Sequence, residues 1–315
     1  MGDTTTRRAE AEGRADIYQR ITDQIAAAIE AGAGKWRMPW HPGSDGAAPV
    51  LPVNAATGKQ YRGVNTVVLW AMAQAEGYPS AVWATYRQWA ELGAQVRKGE
   101  RASPVVFWKI SGKDEQEDAD EGTEYGRRSR VLARGYSVFN AAQVDGYAVP
   151  ALPLLPEAER IGHVEAFFAA IGADIRHGGN RACYVPSLDQ IRMPLFEAFR
   201  DPVAYYATLA HEATHLTGHP SRCARDLRGR FGDEAYAAEE LIAELGAAFV
   251  CADLALTPEP RQDHAAYAAS WLKVLRSDKR AIFTAAAKAQ AAADWMHALQ
   301  NAAVSPEAAG QAQAA

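Results

Sequence analysis

The chain has 315 residues, 48% of them hydrophobic, and a formal net charge of −5 at pH 7, which allows two domains with real cores and points to a folded, soluble protein. No run approaches the roughly 20 apolar residues of a bilayer span, and "MGDTTTRRAEAEGRAD" lacks the apolar stretch of a secretory signal, so a cytoplasmic location is expected. Three cysteines, Cys183, Cys223 and Cys251, exclude a disulfide framework and a thiolate zinc knuckle.

Charge is unevenly spread. Residues 1–150 balance, with eighteen basic and eighteen acidic side chains, while residues 151–315 carry fifteen against twenty. Between Lys35 and Lys109 there are nine Lys and Arg against four Asp and Glu, and the compensating acids sit mainly in "DEQEDADEGTE" (114–124). A basic region beside an acidic loop has a different electrostatic face from a neutral domain.

Residues 1–14 read as a disordered leader. In "ADIYQRITDQIAAAIEAGAG" (15–34), Ile17, Ile21, Ile25 and Ile29 share one helical face. A Pro- and Trp-rich loop, "KWRMPWHPG", follows, then a turn and a second helix that Gly77 ends. "WATYRQWAELGAQVRKGERASPVVFWKI" reads as a short helix, a turn and a strand from Val105 to Ile110, and "RRSRVLARGYSVFNAAQV" as a further β run. The acidic stretch between them, 113–126, is expected to be a solvated hairpin insertion. Residues 15–147 thus form a first domain, 148–158 a proline-rich linker, 159–300 a second domain and 301–315 a disordered tail.

In the second domain "IGHVEAFFAAIGADIRHG" reads as helix and turn, and "RACYVPSLDQIRMP" as short strands. Two helices follow, 202–217 and about 234–254, then an Ala-rich helical remainder. Asp201-Pro202 is a helix-start signal, since aspartate caps free N–H groups and proline suits the first turn. On this first helix, "TLAHEATHLTGH" (208–219) places His211 and His215 one turn apart, so both imidazoles can reach one tetrahedral ion at about 2 Å. Glu212 beside them can take a proton from a water, the arrangement of an H-E-x-x-H metallopeptidase.

The second helix, "YAAEELIAELGAAF" (236–249), has a buried stripe of Leu241, Leu245, Ala248 and Phe249, yet Glu240 and Glu244 lie in the same region. Carboxylates facing an apolar interior are costly unless a positive charge meets them. Glu240 is assigned as third metal ligand, and Glu244 as the acceptor that fixes a ligand histidine's tautomer. The reverse assignment stays open, with Glu239 the poorer candidate. Three protein ligands leave a fourth position for water, as in catalytic zinc sites. His219, Tyr184, Tyr205, Tyr206 and Tyr236 are candidates for stabilising an oxyanion, and no spacing selects among them.

Six of eight tryptophans precede residue 110, interleaved with basic side chains. Rings for stacking bases beside cations for phosphates are what single-stranded nucleic acid requires. Trp70, Trp89 and Trp108 lie in apolar runs and read as core. Lys35, Trp36, Arg37, Trp40, Lys59, Tyr61, Arg62, Arg87, Arg97 and Lys98 are the DNA-binding candidates.

The chain resembles the ArdC-type antirestriction proteins of conjugative plasmids. The N-terminal match rests on "WRMPW", "NAATGKQYRGVN", "WATYRQWAELGAQVRKGE" and "ARGYSVFNAAQVDG"; the C-terminal match rests on "YVPSLDQIRMP", "TLAHEATHLTGH" and "RFGDEAYAAEELIAELGAAF", in that order. The resemblance implies an α+β protein: a mixed α/β domain binding single-stranded DNA, followed by a mostly helical zincin-like metallopeptidase domain of the gluzincin kind. It further implies metal bound by His211 and His215, Glu212 as the zincin glutamate, a glutamate of "EELIAE" completing a Zn2+ site, and protection of incoming DNA. Two other readings remain: a DNA-binding protein whose metal is structural, and a protease directed at a host protein, with an N-terminal domain that binds protein.

Overall fold

The computed structural model describes residues 3–33, 50–111, 130–150, 157–227, 233–257 and 264–303. It opens on helix α1 (Asp3–Ala33), with Ile17, Ile21, Ile25 and Ile29 all buried. The helix starts twelve residues earlier than residue 15, in place of the disordered leader expected there; "RRAEAE" is rich in strong helix formers. After β1 (Val53–Asn54), α2 (Val64–Glu76) ends where Gly77 turns left-handed (φ 67°) and donates its N–H to Ala73 O.

Strand β2 (Val82–Thr85) leads into α3 (Tyr86–Glu91), which Thr85 and Gln88 cap reciprocally. Then come β3 (Gln95–Val96), β4 (Ser103–Ser111), β5 (Arg130–Asn140) and β6 (Val144–Asp145). The main sheet has the order β1-β2-β5-β4, parallel between β1 and β2 and antiparallel elsewhere. Strands β4 and β5 form a long ribbon, in register from Ser103↔Val138 to Ser111↔Arg130. The acidic stretch expected as a hairpin insertion joins the end of this ribbon and lies outside the described residues.

The second domain begins with α4 (Glu157–Ile171) and a three-stranded sheet of β7 (Asp174–His177), β8 (Cys183–Val185) and β9 (Gln190–Met193), ordered β7-β9-β8. Strand β7 falls where the sequence suggests only a turn; it pairs parallel to β9. Helices α5 (Pro202–Thr217) and α6 (Glu234–Asp253) follow, and the Ala-rich remainder divides into α7 (His264–Ser277) and α8 (Ala281–Ala303). A mixed α/β region is thus followed by a mostly helical one.

Their apolar cores merge. Trp70 of α2 meets Phe249 of α6 at 5.8 Å between ring centroids, and Thr22 of α1 donates to the Lys279 carbonyl at 2.8 Å. Trp70 and Trp89 are buried as the apolar runs suggest, but Trp108 is 45% exposed, so its place in the core is corrected. Burial along β4 stops at Val106, and beyond it both faces of the ribbon are open: Trp108 meets Phe283 edge to face at 6.4 Å, while Phe107 on the other face is exposed as well. Among the described residues no helix is long and apolar enough to cross a membrane.

Candidate metal centre

The centre is built on two helices that approach unusually closely. Asp201 caps α5 through Ala204 N (2.7 Å), with Pro202 in the first turn. Where α5 crosses α6, Gly246 lies directly against Thr214. This contact brings the histidine face of α5 onto the acidic face of α6.

His211 and His215 stand one turn apart, ring centroids 4.9 Å apart, both largely buried. Glu240 spans them: one carboxylate oxygen lies 3.5 Å from His211 Nε2, the other 3.5 Å from His215 Nε2. Ligand atoms of His211, His215 and Glu240 all fall within 4.8 Å of one another. Behind each ring stands a further carboxylate, Glu244 at 3.6 Å from His211 Nδ1 and Glu239 at 3.3 Å from His215 Nδ1.

Glu239 is itself gripped by the buried Arg225 guanidinium, at 2.8 Å from Nη2 and 3.1 Å from Nε. Arg225 also donates to Thr217 Oγ1 (2.8 Å) and to the Thr214 carbonyl (2.6 Å). The sequence ranked Glu239 below its neighbours and did not single out Arg225; only a buried arginine's need for a carboxylate partner could have signalled the pair.

Glu212 is buried, and its Oε2 accepts the Tyr184 backbone N–H at 2.8 Å. Strand β8, the edge of its sheet, thereby touches the H-E-x-x-H helix. The Tyr184 hydroxyl donates to Asp189 (2.8 Å), which Arg222 grips through both oxygens at 2.8 and 2.7 Å. Burial and then the Asp189 carboxylate push the Tyr184 phenol up to about 12. A cavity of about 460 Å³ opens onto His211, Glu212, His215, Glu240, Tyr184 and Tyr236. Of the five oxyanion candidates only these two tyrosines line it; Tyr205 bonds His177 (2.9 Å) and His219 bonds Ser221 (2.8 Å).

The electrostatics test whether these residues suit a cation. Burial alone would push both imidazoles toward neutrality, but the facing carboxylates outweigh it, holding His211 up to about 10 and raising His215. Burial likewise opposes ionisation of Glu240, yet the two imidazoles keep its carboxyl well below the usual range. The pocket therefore demands positive charge, and two imidazoles with one carboxylate oxygen are a donor set that a divalent ion satisfies.

Among the described residues, the DNA-binding candidates differ in exposure and in pairing. Lys35, Trp36, Arg37 and Trp40 lie outside the described residues. Tyr61 is only 6% exposed, with its hydroxyl accepting from Asn54 (3.1 Å), so no base can stack on it there. Apolar packing of the turn before α2 claimed a ring that the flanking glycine and arginine made look free. Arg62 pairs with Asp294, Arg87 with Glu91 (2.8 Å), and Arg97 with Glu100 (2.9 Å) and Asp145 (3.4 Å). Lys59 is exposed, and Arg97 and Lys98 line a surface depression with Tyr86.

Residues 15–139 match the family model described as the N-terminal domain of anti-restriction factor ArdC, and residues 162–288 match the zincin-like metallopeptidase model. The metal-free crystal structure of antirestriction protein ArdC from plasmid R388 is 44% identical, with a TM-score of 0.72 over 91% of this chain and 98% of that one. The chain belongs to the ArdC antirestriction family. The Mn(II)-bound structure of R388 ArdC matches as well, at 45% identity and a TM-score of 0.70, covering 90% of this ArdC-type chain and 97% of the other.

An uncharacterized Sinorhizobium fredii protein, y4eC, is 59% identical over 288 residues, 91% of this chain and 93% of its own length. Two Escherichia coli proteins named DNA primase TraC are 38% identical over 309 residues; these cover 92% of the chain but only 28% and 20% of the primases. The family supports a divalent metal in this ArdC-type chain, and His211, His215 and Glu240 are described residues that could hold one.

Proposed function

We propose that this chain binds single-stranded DNA through its N-terminal domain and hydrolyses peptide bonds at a zinc site held by His211, His215 and Glu240, with Glu212 as general base. The observation that carries the peptidase half is the closure of the histidine pair by Glu240 in an open cavity that Glu212 also lines. Two histidines and a glutamate are the ligands of a well-attested class of catalytic zinc sites.

The cation would supply a Lewis acid that polarises the scissile carbonyl and acidifies water. Glu212, held by the Tyr184 amide through one oxygen, keeps the other for the proton of the attacking water. Strand β8 is a sheet edge beside the cavity and can guide an extended peptide, although its Tyr184 N–H is already given to Glu212. Tyr236 lines the cavity with its hydroxyl 3.5 Å from that of Tyr267, and a shift of this hydroxyl toward the substrate would let it donate to a developing oxyanion. Glu239, 3.3 Å from His215 Nδ1, can accept that ring N–H and fix its tautomer, and Glu244, 3.6 Å from His211 Nδ1, stands just beyond hydrogen-bond reach of the other ring.

For DNA, the support is the basic stretch from Lys35 to Lys109 and relatives that carry the names antirestriction protein and DNA primase. A cytoplasmic site of action fits a chain that acts on DNA.

The deciding experiment pairs Glu212→Gln with the wild type. Equal zinc content, with peptide or protein hydrolysis only in the wild type, supports the peptidase. If neither hydrolyses any member of a diverse peptide library, the zinc is structural and the chain is a binding protein. Oligonucleotide affinity that falls steeply with salt, by a log–log slope of about −0.7 per phosphate contacted, supports DNA binding. Its absence leaves the N-terminal domain to a host protein.

A further inference from the structure

Exposed aromatic rings gather at one place in the N-terminal domain. Phe107 is 49% and Tyr136 38% exposed, on the β4–β5 ribbon. The register pairs Phe107 directly with Arg134, and Val105 with Tyr136, so strand alternation puts Phe107, Arg134 and Tyr136 on one face. The two rings meet edge to face, 5.4 Å between centroids and 83° between planes, and the Arg134 guanidinium sits 5.3 Å from the Tyr136 centroid.

We infer that this face is a base-stacking subsite for single-stranded DNA. The inference rests on the DNA-binding reading above and gives it a location built from residues outside the sequence candidates. Tyr136 is engaged by Phe107 and by Arg134, which leaves Phe107 as the ring with more open surface for a base. Arg134 is held beside the rings by the cation–π contact, where the phosphate of a stacked nucleotide passes. Among the described residues no carboxylate pairs with Arg134, unlike Arg62, Arg87 and Arg97, so its charge is available.

A ribbon presenting adjacent aromatics and a cation reads any base through its π face, which matches binding without strong sequence preference. No side chain of this subsite touches the metal centre.

The test uses the full chain and a fluorescein-labelled oligothymidine, with binding followed by anisotropy across a salt series. Phe107→Ala should weaken binding roughly 5- to 100-fold with an unchanged salt slope, because a stacking contact is lost and no counterion is involved. Phe107→Trp should retain affinity. Arg134→Gln should weaken binding and reduce the slope by about 0.7, the mark of one lost phosphate contact. Unchanged metal content and circular dichroism show that each variant folds.

Independently of any variant, photo-crosslinking wild type to an iododeoxyuridine oligonucleotide should label the peptide containing Phe107 or Tyr136. Wild-type binding with Phe107→Ala and Tyr136→Ala unaffected, or a crosslink confined to other segments, overturns the subsite and leaves the DNA-binding reading standing. No oligonucleotide binding by the wild type overturns that reading itself, and the subsite with it.

Discussion

Gly246 and Thr214 leave no room for a methyl group between helices α6 and α5: a Cβ on Gly246 would lie 2.5 Å from Thr214 Cγ2 and 2.8 Å from its Oγ1. Thr214 precedes His215 and Gly246 lies two residues beyond Glu244, so we expect this contact to govern how closely the histidine face of α5 meets the acidic face of α6. Gly246→Ala gains about 0.5–1 kcal/mol of helix preference but forces an overpacked crossing that costs about 1–3 kcal/mol. The expected net result is a lower Tm with zinc affinity reduced at the same time. Adding Thr214→Ala should recover most of the zinc affinity, because it removes the clashing atoms. Gly246→Ala with wild-type metal affinity would show that the crossing does not position the ligands.

Arg225 and Glu239 form a buried pair behind His215. Arg225→Met leaves the Glu239 carboxylate inside without its cation, a loss on the order of 3–5 kcal/mol. Zinc affinity should fall about 10- to 100-fold as His215 loses its oriented acceptor. The double change Arg225→Met with Glu239→Gln should recover stability, since it removes the stranded charge, but not the metal affinity. Calorimetric unfolding and zinc competition with a chromophoric chelator read the two effects separately; equal recovery of both would refute a positioning role.

What the sequence revealed and what it hid divide by range. The capped start of α5 at Asp201, the stop of α2 at Gly77 and the pairing of His211 with His215 are local relationships, settled within one or two helical turns. That Glu240 stands beside the histidine pair was legible across helices because a buried acid needs a positive partner. Strand β7 was not, since its hydrogen bonds go to β9, beyond β8 in the chain, and four residues of "DIRH" carry no periodicity of their own. Tyr61 and Trp108 exchanged their expected surroundings because burial of a single ring depends on how distant segments pack. Composition sees basic and aromatic residues together without telling which of them face water.

Metal removal should expose how much the centre contributes to the fold. Glu212, Glu239, Glu240 and Glu244 crowd one cavity against two imidazoles and Arg225. Stripping the ion should lower Tm, and re-adding zinc at a thousand times its Kd should restore about 4 kcal/mol. His215→Ala should be insensitive to both treatments. A Tm unchanged by chelation, in a protein shown to contain one zinc beforehand, would mean that the ion adds nothing to the folded state's stability.

Asp201 provides an acid-sensitive anchor for the same helix. Burial would raise its carboxyl, but the Ala204 amide and the Arg200 guanidinium (2.8 Å) prevail and hold it below the ordinary 3.8. A carboxyl lowered on folding stabilises the native state fully above its unfolded pKa, and this contribution fades as pH falls through the folded value. Asp201→Ala should therefore cost about 1 kcal/mol at neutral pH, the usual loss of an N-cap. The gap from wild type should hold from pH 6 to 8 and narrow below about pH 4. Asp201→Asn keeps a capping oxygen without the charge, so its difference from Asp201→Ala should stay flat through the acid range. Urea unfolding of the three proteins at several pH values measures this directly; a wild-type advantage that grows on acidification would contradict the assignment of the ionised Asp201 carboxylate as the cap.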